Sequence, residues 1–121
     1  MPNKTETLTA VFHTLADPTR RAVIERLSEG PAAVGELAQS FNMALPSFMQ
    51  HLSVMEECML VRSHKTGRVR TYHLVPKQLQ LVEHWMTEQR SIWERRLDQL
   101  DNFLYKLKEK ENETAKTRSK T

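Results

Sequence analysis

Apolar residues recur along most of this chain at intervals of three and four, and the interval drops to two in a single central stretch. Leu8, Val11, Phe12 and Leu15 form the first stripe and predict a helix over residues 6–16. Asp17-Pro18 closes it and opens the next, because Asp17 is a good N-cap and Pro18 suits the first helical position. That second helix, residues 18–28, turns Ala22, Val23, Ile24 and Leu27 toward a core and stops at Gly30-Pro31. Val34, Leu37, Ala38 and Phe41 predict a third helix over residues 33–40. A brief Asn42-Met43 turn leads into a fourth over residues 45–58. Two short helices so closely linked match a helix-turn-helix. On the fourth helix Leu45, Phe48, Leu52 and Met55 share one side and are expected to be buried. Pro46, Ser47, Gln50, His51 and Val54 lie on or near the other side.

The period then changes. Residues 60–64 and 69–74 read as two strands, with Lys65-Thr66-Gly67-Arg68 as the tip. Gly67 supplies the permissive backbone, Val69 and Thr71 favour extended chain, and Tyr72 and Leu74 can cover the core. Strand alternation sets Arg68 and Arg70 on one face. Pro76 opens a last helix, residues 76–108, carrying Trp85, Met86, Ile92, Trp93, Leu97, Leu100, Phe103, Leu104 and Leu107. This is more apolar surface than one small core takes up from a terminal helix, and a second subunit is the simplest cover for it. The expected organisation is a flexible segment 1–5, one domain over 6–108, and a disordered charged tail over 109–121. The expected fold is mainly α with a small β-hairpin: a dimeric winged helix-turn-helix in the order α-α-α-α-β-β-α.

With 121 residues the chain suits one core. Its net charge of +3 is mild, so the placement of charge says more than the sum. Arg62, Lys65, Arg68 and Arg70 fall between residues 62 and 73 with no acid among them, which suits a phosphate-facing wing. Gln50 is the best candidate for reading a base, since a carboxamide pairs bidentately with adenine. Ser47 suits a base edge or a phosphate, and Pro46 and Val54 offer apolar contacts. His51 has two readings, a phosphate ligand or a brace between helices. Of Arg20 and Arg21, one suits an ion pair within the fold and one a phosphate, and the sequence does not choose between them.

Other chemistry is poorly served. Cys58 is the lone cysteine, which excludes an internal disulfide and a cysteine-based metal cluster. No glycine-rich phosphate loop exists, and Ser47, His51 and Glu56 lack the further groups a nucleophilic site needs, so no enzyme is expected. The histidines are scattered, Glu83 and His84 point about a hundred degrees apart on a helix, and no metal or other cofactor is expected. No apolar run is long enough to span a bilayer, and the N-terminus lacks a signal core, so no membrane partner and a cytoplasmic location are expected.

Taken together, L-A-D-P-T-R-R (residues 15–21), V-G-E-L-A (34–38), L-P-S-F-M-Q-H-L (45–52), G-R-V-R-T-Y-H-L (67–74) and the tryptophan-bearing last helix resemble the ArsR/SmtB-like winged-helix regulators. The resemblance covers roughly nine tenths of the chain. It implies a homodimer joined through the first and last helices, with Leu8, Val11, Phe12, Leu15, Trp85, Ile92, Trp93, Leu97, Leu100 and Leu104 at the interface. It also implies binding to an imperfect palindrome in double-stranded DNA, usually as a repressor. Ser47, Gln50 and His51 would then read DNA, and Arg68 and Arg70 would lie in the wing. Met49 replaces the family's serine two residues before the histidine, and Ala44 stands where many members have a serine cap. The third helix has no cysteine pair and the last helix does not reproduce the alternative sensor site, so the chain looks like the branch without metal ligands. The competing readings are a repressor with a metal or small-molecule sensor at its interface, and a winged helix that binds a protein. The inducer, if there is one, is not legible.

Overall fold

The computed structural model describes residues 3–119, with side chains to residue 116. Residues 1–2 and 120–121, which belong to the expected flexible N-terminus and disordered tail, lie outside the described residues. The chain forms two compact units, divided between His84 and Trp85.

In the first unit each boundary has a local cause. Helix α1, Lys4–Leu15, begins earlier than expected because Asn3 and Glu6 form a capping box. Asn3 Oδ1 accepts from the Glu6 N–H at 2.8 Å, and the Asn3 N–H donates to Glu6 Oε2 at 3.2 Å. Helix α2, Pro18–Leu27, is capped by Asp17 Oδ1, which accepts from the N–H groups of Thr19 (2.8 Å) and Arg20 (3.2 Å). A two-residue strand β1, Ala32–Ala33, was not expected; it precedes α3, Val34–Gln39, and α4, Leu45–Glu57. Strands β2, Val61–Thr66, and β3, Val69–Leu74, follow. The sheet is therefore three-stranded in the order β1-β3-β2, with Ala32 opposite Tyr72 and Ala33 opposite Thr71. The element order becomes α-α-β-α-α-β-β-α, a winged helix-turn-helix with an antiparallel hairpin.

The exit from α4 is a Schellman motif. The Leu60 N–H bonds the Met55 carbonyl at 2.9 Å and the Met59 N–H bonds the Glu56 carbonyl at 3.1 Å. Met59 sits at φ +62°, where a side chain crowds the backbone and glycine is the usual occupant. Leu60 and Met55 are both fully buried and supply the apolar contact that accompanies this turn. Past the turn, Leu60 O accepts from the Val75 N–H at 2.9 Å, and Gln78 Nε2 donates to Cys58 O at 3.2 Å.

The core of this unit gathers Val23, Leu37, Phe48, Leu52, Met55 and Tyr72 with their neighbours. Burying each of the large side chains is worth about 1.5–3 kcal/mol, which is what presses α4 onto the remaining helices. Two expectations are corrected here. Val11 is 0% exposed and fills this core, so its surface is not available to a second subunit. Leu45 is 56% exposed, because it lies a full turn before Phe48, where the stacking of Phe41 on Phe48 at 5.0 Å closes the core.

The last helix α5, Pro76–Ser119, starts in the first unit and makes up the second. It continues past residue 108 into the stretch expected to be an unstructured tail. That stretch is rich in lysine and glutamate, which favour helix without needing a buried face. Between Trp85 and Leu107 the large apolar residues Trp85, Met86, Trp93, Leu97, Leu100, Phe103, Leu104, Tyr105 and Leu107 are 41–64% exposed, and Ile92 is half-buried. No helix of the described residues is long and apolar enough to cross a membrane.

Candidate nucleic-acid interface

Helix α4 turns a polar row outward. Phe48, Leu52 and Met55 hold one side in the core, so helical geometry directs Pro46, Gln50, Ser53 and Glu57 to the surface on successive turns. Ser47 is exposed beside that row, while Met49 and Val54 are half-buried at its edges. The helix starts at Ala44 with no side-chain cap, and Pro46 lies in its first turn. The first-turn N–H groups of Leu45 and Ser47 therefore stay open to an outside acceptor. Ser53 was not singled out from the sequence. Its spacing of three from Gln50 was the available signal.

His51 is a brace. Arg20 Nε donates to His51 Nδ1 at 3.1 Å, and Arg20 Nη1 reaches the Thr14 carbonyl at 3.5 Å. Asp17 Oδ1 lies 3.9 Å from the same imidazole nitrogen. One nitrogen cannot accept from Arg20 and donate to Asp17 together, and the shorter contact is the bond. Burial pushes the Asp17 carboxyl up, but the Arg20 N–H, the nearby His51, the Thr19 N–H and the Arg20 guanidinium together hold it below the ordinary carboxylate value. Arg21 Nη1 donates to the Leu15 and Ala16 carbonyls at 2.9 and 3.0 Å, which closes the end of α1. Both arginines of the D-P-T-R-R run thus hydrogen-bond within the fold. They tie α1, α2 and α4 together, and so set the angle at which α4 is presented.

The hairpin turns through a two-residue loop, Gly67-Arg68, because Thr66 pairs with Val69. Gly67 has φ +63° at the first loop position and Arg68 does not share a positive φ, the pattern of a type II′ turn. Arg68 thus sits in the loop and not on a strand face with Arg70. The ladder sets Lys65 directly opposite Arg70 and Ser63 opposite Tyr72 on one face, and Arg62 opposite His73 on the other. Arg62, Lys65, Arg68 and Arg70 are all exposed.

The base of the hairpin meets α4 through polar groups. Arg70 Nη1 donates to Ser63 Oγ at 2.9 Å, and Ser63 Oγ donates to Glu56 Oε1 at 2.8 Å. The buried Tyr72 adjoins this cluster. Burial pushes its phenol up and the Glu56 charge adds to that, with Arg70 and Ser63 partly offsetting both. Glu56 appeared in the sequence only as an isolated acid, since its partners lie on later strands. Among the described residues no group of three His, Cys, Asp or Glu is placed to hold a metal ion.

A helix-turn-helix domain family matches residues 15–64. The HTH-type transcriptional regulator Rv2034 of Mycobacterium tuberculosis is 46% identical over 68 residues, 56% of this chain and 64% of its own length. The chain thus spans just under two thirds of that relative. The transcriptional repressor SdpR of Bacillus subtilis is 33% identical over 76 residues, 63% of this chain and 84% of its own. A crystal structure of an ArsR family transcriptional regulator superposes with a TM-score of 0.73 at 51% identity, covering 78% of this chain and 97% of that one.

Proposed function

This chain belongs to the ArsR family of DNA-binding transcriptional regulators, and from that premise we propose that it represses transcription by binding a near-palindromic promoter operator as a homodimer. The observation that carries this reading is the outward polar row of α4 beside a basic hairpin whose tip is free of acids. A major groove admits a helix, and Gln50 is the side chain in that row able to pair bidentately with adenine. Ser47 and Ser53 flank it, Pro46 and Val54 offer apolar contact, and the open first-turn N–H groups suit a phosphate. Lys65, Arg68 and Arg70 in the wing add charge to the DNA backbone, and Arg62 acts from the opposite face. His51 serves the site by fixing α4.

The surface of α5 supports a second copy. Trp93, Leu97, Leu100, Leu104 and Leu107 recur at alternating steps of four and three, the spacing of a heptad seam, Met86 lies one heptad earlier, and all six are about half exposed. Another copy of the same helix presents the matching row. Phe12 of α1, 39% exposed, offers apolar surface of its own. Two α4 helices placed roughly 34 Å apart would enter successive major grooves and exclude polymerase from the promoter. The site of action is the cytoplasm, where the promoter lies.

The test is a selection of genomic fragments on purified protein, followed by sizing of the complex. Recovery of a shared inverted repeat, bound by two copies with strong salt dependence, supports the reading. Recovery of no fragment, or binding by one copy, contradicts it. A metal-dependent change in affinity for the recovered repeat would favour a sensor repressor.

A further inference from the structure

We propose that Glu56, near the end of α4, is a positioning residue for DNA binding, which through Ser63 holds Arg70 and so sets the angle of the wing to the recognition helix. This rests on the DNA-binding reading and adds to it a residue that need not touch DNA.

The three residues sit on three elements: Glu56 on α4, Ser63 on β2 and Arg70 on β3. Ser63 Oγ uses its proton on Glu56 and a lone pair on Arg70, so the two bonds form one continuous chain. A two-stranded ribbon is marginal by itself, and beyond Ser63 the residues of β2 are all exposed. At its base the hairpin is held by the buried Val61 and Tyr72 and by pairing with β1, and this chain adds a polar anchor further out. The chain also meets a local conflict. Lys65 stands directly opposite Arg70, and like charges in that position push strands apart. The Glu56 carboxylate, relayed through Ser63, draws Arg70 back toward α4. An acid beside a basic wing lowers the potential that attracts a polyanion. Its benefit to DNA binding is therefore geometric: wing and helix reach backbone and groove in one rigid pose.

The experiment compares Glu56→Ala, Glu56→Gln, Ser63→Ala and the Glu56→Ala/Ser63→Ala double variant. Affinity is measured for the operator recovered by genomic selection and for a random-sequence duplex. Glu56→Ala is expected to weaken operator binding about tenfold and to leave random-duplex binding equal or tighter. Glu56→Gln keeps an acceptor for Ser63 and is expected to restore most of the loss. The double variant should lose no more than the worse single one. Equal losses on both duplexes, Gln behaving as Ala, or additive losses would overturn the proposal. A readout without DNA separates this from failure of the repressor reading. In a Tyr105→Phe background, Glu56→Gln should lower the pH at which the Tyr72 phenol ionises, and Glu56→Ala should speed amide exchange in β2 and β3. If no operator is recovered, these two measurements decide: movement of both supports the relay, and no movement overturns it.

Discussion

Met59 is the residue most at odds with its own backbone. It occupies the left-handed position that ends α4, and the two Schellman bonds around it leave no other conformation. Met59→Gly is therefore expected to stabilise the fold by about 1 kcal/mol, visible as a higher midpoint in denaturant unfolding with unchanged slope. Loss of stability would mean that the methionine side chain packs for more than its backbone costs. His51 makes a complementary case. Removing its Nδ1 acceptor leaves Arg20 Nε without that partner between α2 and α4, so His51→Ala should cost about 1 kcal/mol in the same assay. Neither role was legible beforehand. The sequence showed that a turn follows residue 58 but not its handedness, and it left His51 between two uses, because the partner that decides lies thirty-one positions away.

At the scale of elements, caps and periods were the readable part. Asp17-Pro18 marked the start of α2 correctly, and the stripe of Phe48, Leu52 and Met55 identified the buried side of α4. Leu45 continued that stripe in sequence, but the core had already ended. Strand β1 was missed because two alanines carry no period, and it exists only through pairing with β3. The end of α5 was missed for the opposite reason: the apolar row stops at Leu107, but helix propensity does not. Asp17 also yields a pH prediction. Its carboxyl is held below the ordinary value in the fold, so at acid pH the unfolded chain binds the proton first. The stability it adds is present above the unfolded carboxylate value and is lost as pH falls through the folded one. Asp17→Asn keeps the cap and removes the charge, so it should lower stability near neutrality, change little at acid pH and flatten the acid side of the stability curve. An unchanged acid limb would show that Asp17 does not carry that dependence.

For the whole molecule, the proposed function requires both the apolar row of α5 and the polar row of α4. In the proposed mode of action one α4 helix reads one half-site, and tight binding requires a second held at fixed separation. Leu100→Glu places a charge in the middle of the α5 row. It should convert the protein to single copies in sedimentation and weaken operator binding by more than about tenfold, while the melting of the first unit stays in place. Dimers that persist through this change would move the interface elsewhere. The tryptophans and leucines of the last helix raised the expectation of a partner, but they set no register for it, because a single chain shows only one side of a seam.

The most direct measurement is the ratio of operator affinity to random-duplex affinity for the wild-type chain and for Gln50→Ala. Gln50 is exposed on a helix whose opposite side is fully buried, so the substitution should leave the fold intact. The expected result is a fall in that ratio of about tenfold or more, all of it from weaker operator binding. An unchanged ratio would mean that α4 does not read the sequence.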